Sequence, residues 1–271
     1  MHGYSVREAR RLSDQAETLS DLIHYDSVFP PGSSVLEIGC GTGAQTGIIA
    51  SKNPTCRFTS VDISESSLTL AKSRIDDQGL KNVTFCQADI CDGNAISGLY
   101  DHAFFCFVLE HIKDPVSIIR SACRFVRPGG TITVIEGDHG SVCFHPETGK
   151  ALKTIECQVI LQARAGGDAN IGRKIYPLMA AAGLADIRVT PRLVYADASR
   201  PELVLGFTRN TFIAMIEGVR EEALLSGLIS TDDWDAGISD LYRAAGESGT
   251  FSYTFYKGTG VVGLDLSGYV G

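Results

Sequence analysis

The most constraining feature of the sequence is a short apolar run that leads directly into three alternating glycines. The residues are Val35-Leu36-Glu37-Ile38-Gly39-Cys40-Gly41-Thr42-Gly43, and a helical stretch, Ala44–Ser51, follows them. Glycine permits a tight turn and lets a ligand contact the backbone directly. The first turn of the following helix offers unpaired N–H groups and the positive end of a dipole. The pattern therefore predicts a ligand-binding loop between a buried strand and a helix.

An acidic residue stands where such a loop needs one. Asp62 lies at the end of the next apolar run, Ser60-Val61-Asp62-Ile63. In a doubly wound fold, a carboxylate at this position reaches the diol of a ribose. The loop and the acid together predict a site for a nucleoside-containing cofactor.

Short apolar runs alternate with helical stretches between residues 34 and 136. The runs are nearly continuous and rich in Val, Ile and Phe, which is typical of strands buried on both faces. They are Ser34–Gly39, Phe58–Val61, Val83–Gln87, His102–Val108 and Thr131–Glu136. Ser64 and Asp114-Pro115 mark the starts of two intervening helices. The alternation predicts a doubly wound parallel α/β sheet with right-handed crossovers.

The remaining segments depart from this alternation. Residues 1–30, 145–183 and 197–247 are predicted to be mainly helical. Two strand-like segments, Ile187–Tyr195 and Phe251–Val262, lack obvious crossover helices and are predicted to form an antiparallel closing pair. We expect one domain over residues 1–271. Its parts are an N-terminal helical lid (1–30), a cofactor-binding core (33–138), a helical substrate cap with the sixth strand (139–250) and a closing strand (251–271).

Composition argues against several classes of function. Asp and Glu number 32 against 24 Lys and Arg, so the formal net charge of −8 argues against nucleic-acid binding. The longest uncharged apolar run, Ala103–Leu109, is far shorter than the ~20 residues of a membrane span. Residues Met1–Glu17 lack an apolar signal core, so we expect a cytoplasmic protein without membrane partners. No two of the eight cysteines have CxxC spacing, so we expect small buried thiols and no metal.

The glycine loop also fits part of a dinucleotide fingerprint. Gly39, Gly41 and Ala44 obey G-x-G-x-x-A. Glu37 counts against a nicotinamide enzyme, because a carboxylate just before the glycines repels a pyrophosphate but suits a cationic ligand. The antiparallel closing pair also counts against it. A nicotinamide-dependent oxidoreductase nevertheless stays open as an alternative.

The motifs together resemble those of class I S-adenosylmethionine (SAM)-dependent methyltransferases. Besides Glu37–Gly43 and Asp62, they are Gln87-Ala88-Asp89-Ile90, the segment Asp101–His111 and Arg127-Pro128-Gly129-Gly130-Thr131. The resemblance covers roughly residues 33–138 and extends to the end through the order of elements. It implies SAM as cofactor and a Rossmann-like sheet of seven strands in the order 3-2-1-4-5-7-6, with strand 7 antiparallel.

The resemblance also implies which residues bind SAM. Asp62 would accept the ribose hydroxyls, Asp89 would accept from the adenine amino group, and the fourth strand would end beside the methionine part. The predicted cofactor contacts are Tyr4, Gln15, Glu37, Gly39, Cys40, Gly41, Gly43, Asp62, Ile63, Ala88, Asp89, Ile90, Cys106 and Phe107.

Two further segments are similar to a smaller group of archaeal and fungal small-molecule methyltransferases. They are Met1–Leu19, with Tyr4, Arg11 and Gln15, and Glu136-Gly137-Asp138-His139-Gly140-Ser141. Some fungal members methylate hydroxylated alkaloids of the roquefortine type. This similarity implies O-methylation of a hydroxylated aromatic or alkaloid natural product in secondary metabolism, with the N-terminal segment as a lid over the cofactor.

Methyl transfer from a sulfonium needs a base only when the acceptor holds a proton that must leave. Ligands bind at the carboxyl ends of the strands in open α/β sheets, which makes His139, His111 and His145 the candidates. His139 is preferred because Asp138 precedes it and because histidine titrates near neutral pH. Asp138 is expected to orient a histidine or to contact the substrate.

The acceptor is expected to be a small molecule bound under the helical insertions, with contacts from His145, Phe207 and Met215. Aromatic residues near the fourth strand favour a flat, apolar acceptor. N-methylation and a non-catalytic, cofactor-binding role stay open, and the protein is expected to be a monomer or a homodimer.

Overall fold

The fold is built on one mixed sheet of seven strands. The computed structural model describes residues 6–92 and 96–263. The strands lie in the order β3-β2-β1-β4-β5-β7-β6. Strands β1 to β5 run parallel, and β7 runs antiparallel to both β5 and β6. The predicted strand order and the antiparallel closing pair are therefore confirmed.

The strand bounds follow the apolar runs with one large difference. The strands are β1 (Ser34–Ile38), β2 (Arg57–Asp62), β3 (Val83–Gln87), β4 (Tyr100–Cys106), β5 (Val126–His145), β6 (Ala185–Ala196) and β7 (Thr250–Val261). The sequence predicted that the fifth strand ends at Glu136, which was wrong. It continues to His145 because β7 pairs with it as far as Thr250, across an irregularity between Asp138 and Cys143.

The helices lie on both faces of the sheet. They are α1 (Val6–His24), α2 (Ala44–Lys52), α3 (Glu65–Asp77), α4 (Pro115–Cys123), α5 (Gly149–Arg164), α6 (Ile175–Ala181), α7 (Pro201–Leu203), α8 (Ala214–Glu217), α9 (Arg220–Leu225) and α10 (Thr231–Ala244). A π-helix, Val204–Ile213, joins α7 to α8, and short 3-10 turns cover Leu109–His111 and Ile171–Lys174.

Two helix starts were predicted from their capping residues and are confirmed. The Ser64 hydroxyl accepts a hydrogen bond from the Ser67 amide at 3.2 Å at the start of α3. Asp114 accepts from the Ser117 amide at 3.0 Å, and Pro115 occupies the first turn of α4. A cap of this kind satisfies an amide that the helix itself leaves unpaired.

The core lies on both sides of the sheet. Leu36, Phe105 and Val134 pack with residues of α4 and α6 on one side. Val35 and Phe104 pack on the other side with α1, α2 and the helices after β5. Burial on both faces explains why these strands lack the alternation of apolar and polar residues that marks a half-exposed sheet. The carboxyl ends of β1, β2 and β4 meet at one edge, and β5 passes this edge near Glu136 before it continues to His145.

We expect the helices after β5 to depend on residues of α10 that are buried against α5. Leu241 is 1% exposed, whereas Leu225, at the end of α9, is 82% exposed. Leu241→Ala should lower the free energy of unfolding by about 2–5 kcal/mol through lost burial and a residual cavity. Leu225→Ala should change it by less than about 0.5 kcal/mol. Urea titration of both variants tests this, and equal losses would contradict it.

Candidate active site

The glycine loop between β1 and α2 adopts a conformation that other residues rarely reach. Gly39, Gly41 and Gly43 have φ of +69°, +52° and +75°. A Cβ on Gly39 would lie 2.8 Å from Val108 Cγ2. The amides of Gly39 and Cys40 both donate to the Val61 carbonyl, at 2.8 and 3.0 Å. The loop is thereby fixed across the ends of β1 and β2, with its backbone open to a ligand.

Asp62 links the loop to the end of β2. Its Oδ2 accepts from the Gly41 amide at 2.8 Å, and its Oδ1 accepts from the Ser64 amide at 2.9 Å. A carboxylate oxygen has further lone pairs, so both oxygens can still accept from ligand hydroxyls. The neighbouring Ile63 is 57% exposed. The carboxylate is therefore fixed in orientation before any ligand arrives.

Glu37 lies beneath the loop as a buried carboxyl. Its Oε2 accepts from the hydroxyls of Thr46 in α2 and Ser60 in β2, at 2.7 and 2.6 Å. Burial raises the pKa of Glu37, although both hydroxyls favour the ionised form. Glu37 was expected to suit a cationic ligand. It also has a structural role, because its carboxyl group links β1 to α2 and β2, the elements around the loop.

The loop also presents a buried hydroxyl. Thr42 Oγ1 has no hydrogen-bond partner within residues 6–92 and 96–263. A buried hydroxyl without a partner is costly unless a bound group satisfies it. With the Asp62 carboxylate and the open backbone, it forms a donor and acceptor set that fits a ribose and an amino-acid moiety. These residues therefore fit SAM.

Residues 87–90 form a turn beside Asp62. Asp62 pairs with Gln87 in the β2–β3 ladder, and the Ala88 amide donates to the Asp62 carbonyl at 3.1 Å. Asp89 is exposed and its Oδ1 accepts from the Cys91 amide at 2.9 Å, while Ile90 is buried. Gln15 is half-buried on α1, and Tyr4 lies outside the described residues. The predicted adenine-side residues thus lie next to the predicted ribose acid.

The end of β4 turns sharply toward the loop. Cys106 is buried, and Phe107 adopts a positive φ of +59°, which is uncommon for a residue with a side chain. Burial raises the pKa of the Cys106 thiol, and so does the Glu136 carboxylate, which makes it a neutral, apolar lining. The Phe107 ring centroid lies 5.4 Å from that of Phe255. The turn therefore aims an aromatic side chain across the carboxyl edge.

Glu136 is a buried residue that sequence reasoning treated only as a strand end. Its Oε1 accepts from the amides of Val108 and Leu109, at 2.9 and 2.6 Å, so it fixes the turn after β4. Burial raises the pKa of Glu136 well above its usual range, and the Glu110 carboxylate adds to this. The sequence signal for this role was that Glu136 is the last residue of the apolar run Thr131–Glu136. Ligands bind at the carboxyl ends of strands in such sheets, so a carboxylate at that position lies near the site.

Asp138 forms an ion pair that the sequence did not predict. Arg173 donates from Nε to Oδ2 and from Nη2 to Oδ1, both at 2.8 Å, and Asp138 is 1% exposed. The Asp138 carboxylate also accepts from the Gly140 amide, and this charge-assisted pair anchors the 3-10 turn Ile171–Lys174 to β5. That Asp138 orients a histidine stays a prediction.

His139 is buried at the carboxyl end of the sheet. Its Nδ1 lies 3.0 Å from the Ala169 carbonyl and 3.1 Å from the Tyr253 hydroxyl. A carbonyl only accepts, so this contact assigns the proton to Nδ1 and the lone pair to Nε2. The partner that orients this imidazole is therefore a backbone carbonyl on the segment after α5.

Aromatic rings surround His139. The Phe212 and Tyr253 centroids lie 6.0 and 5.7 Å from the imidazole. Phe207 lies 5.5 and 5.7 Å from Tyr253 and Phe255. We call this set the aromatic cluster; its members are Phe107, His139, Phe207, Phe212, Phe251, Tyr253 and Phe255. It joins the end of β4 to the π-helix and β7.

The other predicted acceptor-side residues lie farther from this cluster or in different settings. His111 is exposed and its Nε2 lies 3.6 Å from Glu110 Oε1. His145 is exposed and pairs with Thr250, six β7 residues beyond the partner of Glu136, or roughly 20 Å along the strand. Met215 is half-buried and packs on the same core as Phe207. Of the three histidines, only His139 is buried among the aromatic rings.

The sequence profile described as a methyltransferase domain matches residues 30–183, more than half of the chain. The chain belongs to this methyltransferase family. The profile includes the glycine loop, Asp62, the 87–90 turn and the end of β5. Membership of the class I SAM-dependent methyltransferases decides against the dinucleotide interpretation of the glycines.

Curated relatives of this methyltransferase domain include enzymes named for different acceptor atoms. An uncharacterized 37.1 kDa protein of transposon TN4556 from Streptomyces fradiae is 30% identical over 76% of this chain and 61% of its own length. The ubiquinone biosynthesis O-methyltransferase of Vibrio parahaemolyticus is 35% identical over 37% of this chain and 42% of its length. The (S)-coclaurine N-methyltransferase of Papaver somniferum is 26% identical over 54% and 41%. The chain thus spans less than two thirds of each of these relatives.

Solved structures share the fold at low sequence identity. The YcgJ protein from Bacillus subtilis has a TM-score of 0.57 at 15% identity, covering 91% of this chain and 98% of that one. A phosphoethanolamine N-methyltransferase 2 of Haemonchus contortus, solved with SAM, has a TM-score of 0.52 at 19% identity, covering 91% and 52%. The cyclase SpnF has a TM-score of 0.54 at 18% identity, covering 91% and 81%. These likenesses support the fold and not a particular reaction.

The described residues contain neither a cluster of metal ligands nor a helix that could span a membrane. Across residues 6–92 and 96–263, no three metal-ligating side chains come together. Among the helices of that part of the chain, none is long and apolar enough to cross a bilayer. All eight cysteines lie in the described ranges as free thiols; four are buried, two are half-buried, and Cys91 and Cys143 are exposed, so the expectation of buried thiols is met only in part.

Asp62 provides a direct test of the cofactor site. Asp62→Ala removes the predicted acceptor of both ribose hydroxyls, and each hydrogen bond to a charged group contributes about 1.5–3 kcal/mol. SAM and S-adenosylhomocysteine should therefore bind at least about tenfold more weakly, as measured by titration calorimetry. Asp77→Ala, an equal charge change at an exposed helix end, should leave both affinities unchanged. Unaltered binding by Asp62→Ala would refute the assignment.

Glu136 predicts a pH dependence of stability. Its pKa is raised in the folded state, so the stability it contributes is present at low pH and is lost as pH rises above about 4.3, the value in the unfolded chain. Glu136→Gln keeps an acceptor for the two amides but does not titrate. The free energy of unfolding of the variant, relative to that of the wild type, should therefore increase as the pH rises from about 5 to about 8, as measured by urea unfolding. Glu147→Gln, at an exposed site, serves as control; parallel pH curves for wild type and Glu136→Gln would contradict the effect.

Proposed function

We propose that this domain transfers a methyl group from SAM to a small-molecule acceptor. The observation that supports it most is the hydrogen bond between the Gly41 amide and Asp62 Oδ2, which fixes the ribose acid against an open glycine loop. When bound, SAM supplies an activated sulfonium methyl, so the protein mainly has to orient the acceptor and exclude water. The glycine loop, Asp62 and residues 88–90 are the proposed cofactor contacts.

We propose a hydroxylated aromatic or alkaloid molecule as the acceptor and its oxygen as the atom methylated. The aromatic cluster favours a flat, apolar molecule, because rings pack well in offset or edge-on arrangements. Phe207 and Met215 belong to the helices that roof this cluster, and they are the proposed acceptor contacts. An O-methyltransferase among the curated relatives agrees with this choice.

His139 is the proposed base. The Ala169 carbonyl fixes the tautomer that has its lone pair on Nε2, and a neutral imidazole in that state can take a proton from a phenol or hydroxylamine. The pair of Asp138 with Arg173 contributes by holding the segment that bears Ala169 and by cancelling a buried charge next to the base. His111 is the alternative base, at an exposed position.

N-methylation is the second candidate. The pKa of Tyr253 is raised well above its usual range, first by burial and then by the negative charges of Glu110, Asp138 and Glu136. Aromatic rings near acidic groups suit a cationic amine, which binds ring faces favourably. An N-methyltransferase is also among the relatives.

We also propose a cellular compartment for the protein and a role for its terminal and inserted segments. Eight free thiols favour a reducing compartment, so we place the protein in the cytoplasm. Residues 1–30 act as a lid, and residues 139–250 act as the acceptor cap, in a monomer or a homodimer without nucleic-acid or membrane partners.

Turnover tests the reaction. The full chain is incubated with SAM and a panel of phenols, hydroxylated alkaloids and amines, and S-adenosylhomocysteine and methylated products are measured by mass spectrometry. Methylated phenols support the first candidate and methylated amines the second. SAM binding without any product across the panel would favour a non-catalytic role.

His139 is tested in the same assay. His139→Ala should lower kcat by about 10²–10⁴-fold, the usual contribution of a general base. The defect should shrink as pH rises past the pKa of the acceptor, because the proton is then already gone. SAM affinity should not change. A defect that is independent of pH would assign His139 to orientation, and a larger loss in His111→Ala would make His111 the base.

A further inference from the structure

A cleft opens beside the segment that joins α1 to β1. It has a volume of about 280 Å³ and lies between the sheet face and the segment 26–30, which joins α1 to β1. We call it the polar cleft. Its lining residues are Asp26, Ser27, Val28, Phe29, Pro30, His102, Phe104, Thr131, Thr133, Lys257 and Thr259. None of these residues belongs to the proposed methyl-transfer site.

Hydroxyls and rings both line the polar cleft. Thr133 and Thr259 lie 3.3 Å apart between their hydroxyl oxygens, and Thr131 contacts His102 Nδ1 at 2.8 Å. The Phe29 ring lies 4.9 Å from the His102 ring. Small binding sites commonly combine apolar walls with a few convergent polar groups of this kind. The volume of about 280 Å³ lies just below the roughly 300–1,000 Å³ of typical ligand pockets, so the cleft suits only a small ligand.

The charges around the polar cleft do not balance. Lys257 Nζ contacts Asp26 Oδ1 at 2.7 Å and Ser27 Oγ at 3.0 Å. Arg192 also donates to Asp26, so two buried cations share one carboxylate. Arg192 Nε is buried and has no partner in the part of the chain that the structure describes. Burial lowers the pKa of His102, which keeps that imidazole neutral.

Among the residues that the structure describes, Asp26 is thus the single carboxylate bonded to both cations; Arg192 also lies over the Tyr25 ring, and the Lys257 ammonium is left only partly compensated at a desolvated position. Burying an uncompensated charge is costly, and an anion placed beside it recovers part of that cost. The chain as a whole is acidic, with a formal net charge of −8, so the local excess is not a general property of the surface.

We propose that the polar cleft is a second ligand site that binds a small organic carboxylate. The Lys257 ammonium and the hydroxyls of Ser27 and Thr259 receive the carboxylate, and Phe29 and Phe104 contact the apolar part. The site is independent of the methyl-transfer reaction, so the proposal does not rest on the function argued above.

Titration calorimetry on the full chain with benzoate, benzamide and inorganic phosphate tests this. Benzoate should bind with a Kd in the high micromolar to millimolar range, as expected for so small a ligand. Benzamide, which has the same shape without the charge, should bind at least about tenfold more weakly. Tighter binding of phosphate than of benzoate would indicate free phosphate as the source of the oxyanion and would overturn the organic carboxylate.

Matched variants locate the binding. Lys257→Met should weaken benzoate at least about tenfold, while Lys153→Met, an equal charge change on the exposed face of α5, should leave it within about twofold. Thr259→Leu fills the cleft without touching the ions and should also abolish binding, which keeps the test valid if Lys257→Met fails to fold. SAM affinity should be unchanged by Thr259→Leu and by saturating benzoate. Competition between benzoate and SAM, or benzoate binding that survives Thr259→Leu, would overturn the proposal.

Discussion

The constraint on which the site depends is the backbone of the glycine loop, which turns from β1 into α2 through three residues of positive φ. A side chain on Gly39 would meet Val108, so the turn after β4 can approach only because that side chain is missing. The loop is then fixed by hydrogen bonds to Val61 and Asp62 at the end of β2. One local turn therefore sets the relative positions of three strand ends.

Buried polar groups complete this edge, and each is bonded to a different kind of partner, while Glu136 Oε2 has no hydrogen-bond partner among the described residues. Glu37 is bonded to two hydroxyls, Glu136 to two backbone amides, and Asp138 to a guanidinium. A buried carboxyl without such partners would be strongly destabilising. The same three groups fix α2, the turn after β4 and the segment after α5. The edge is therefore rigid where a cofactor and an acceptor have to be aligned.

Much of the fold and of the cofactor side could be predicted from the sequence. Local patterns in the sequence were sufficient for features whose residues lie close together in the chain. These features are the glycine loop, Asp62 and the caps at Ser64 and Asp114. The acceptor side was predicted less well. The sequence pointed to His139 but assigned its orientation to its neighbour Asp138, whereas Ala169, thirty residues later, bonds the imidazole. Neither Lys257 nor the polar cleft was predicted from the sequence. The residue that Lys257 bonds, Asp26, lies 231 residues earlier in the chain.

The sequence by itself determined the doubly wound sheet, its glycine loop and the position of Asp62 at the end of the second strand. These rest on local conformational preference and on the periodicity of buried residues, which any segment expresses without reference to distant parts of the chain. Only the tertiary structure decided the extension of β5 to His145, the ion pair of Asp138 with Arg173 and the aromatic cluster around His139. Each of these depends on pairing between residues that are far apart in sequence. Which side chain meets which then follows from strand register and helix packing, and neither is encoded at any single position.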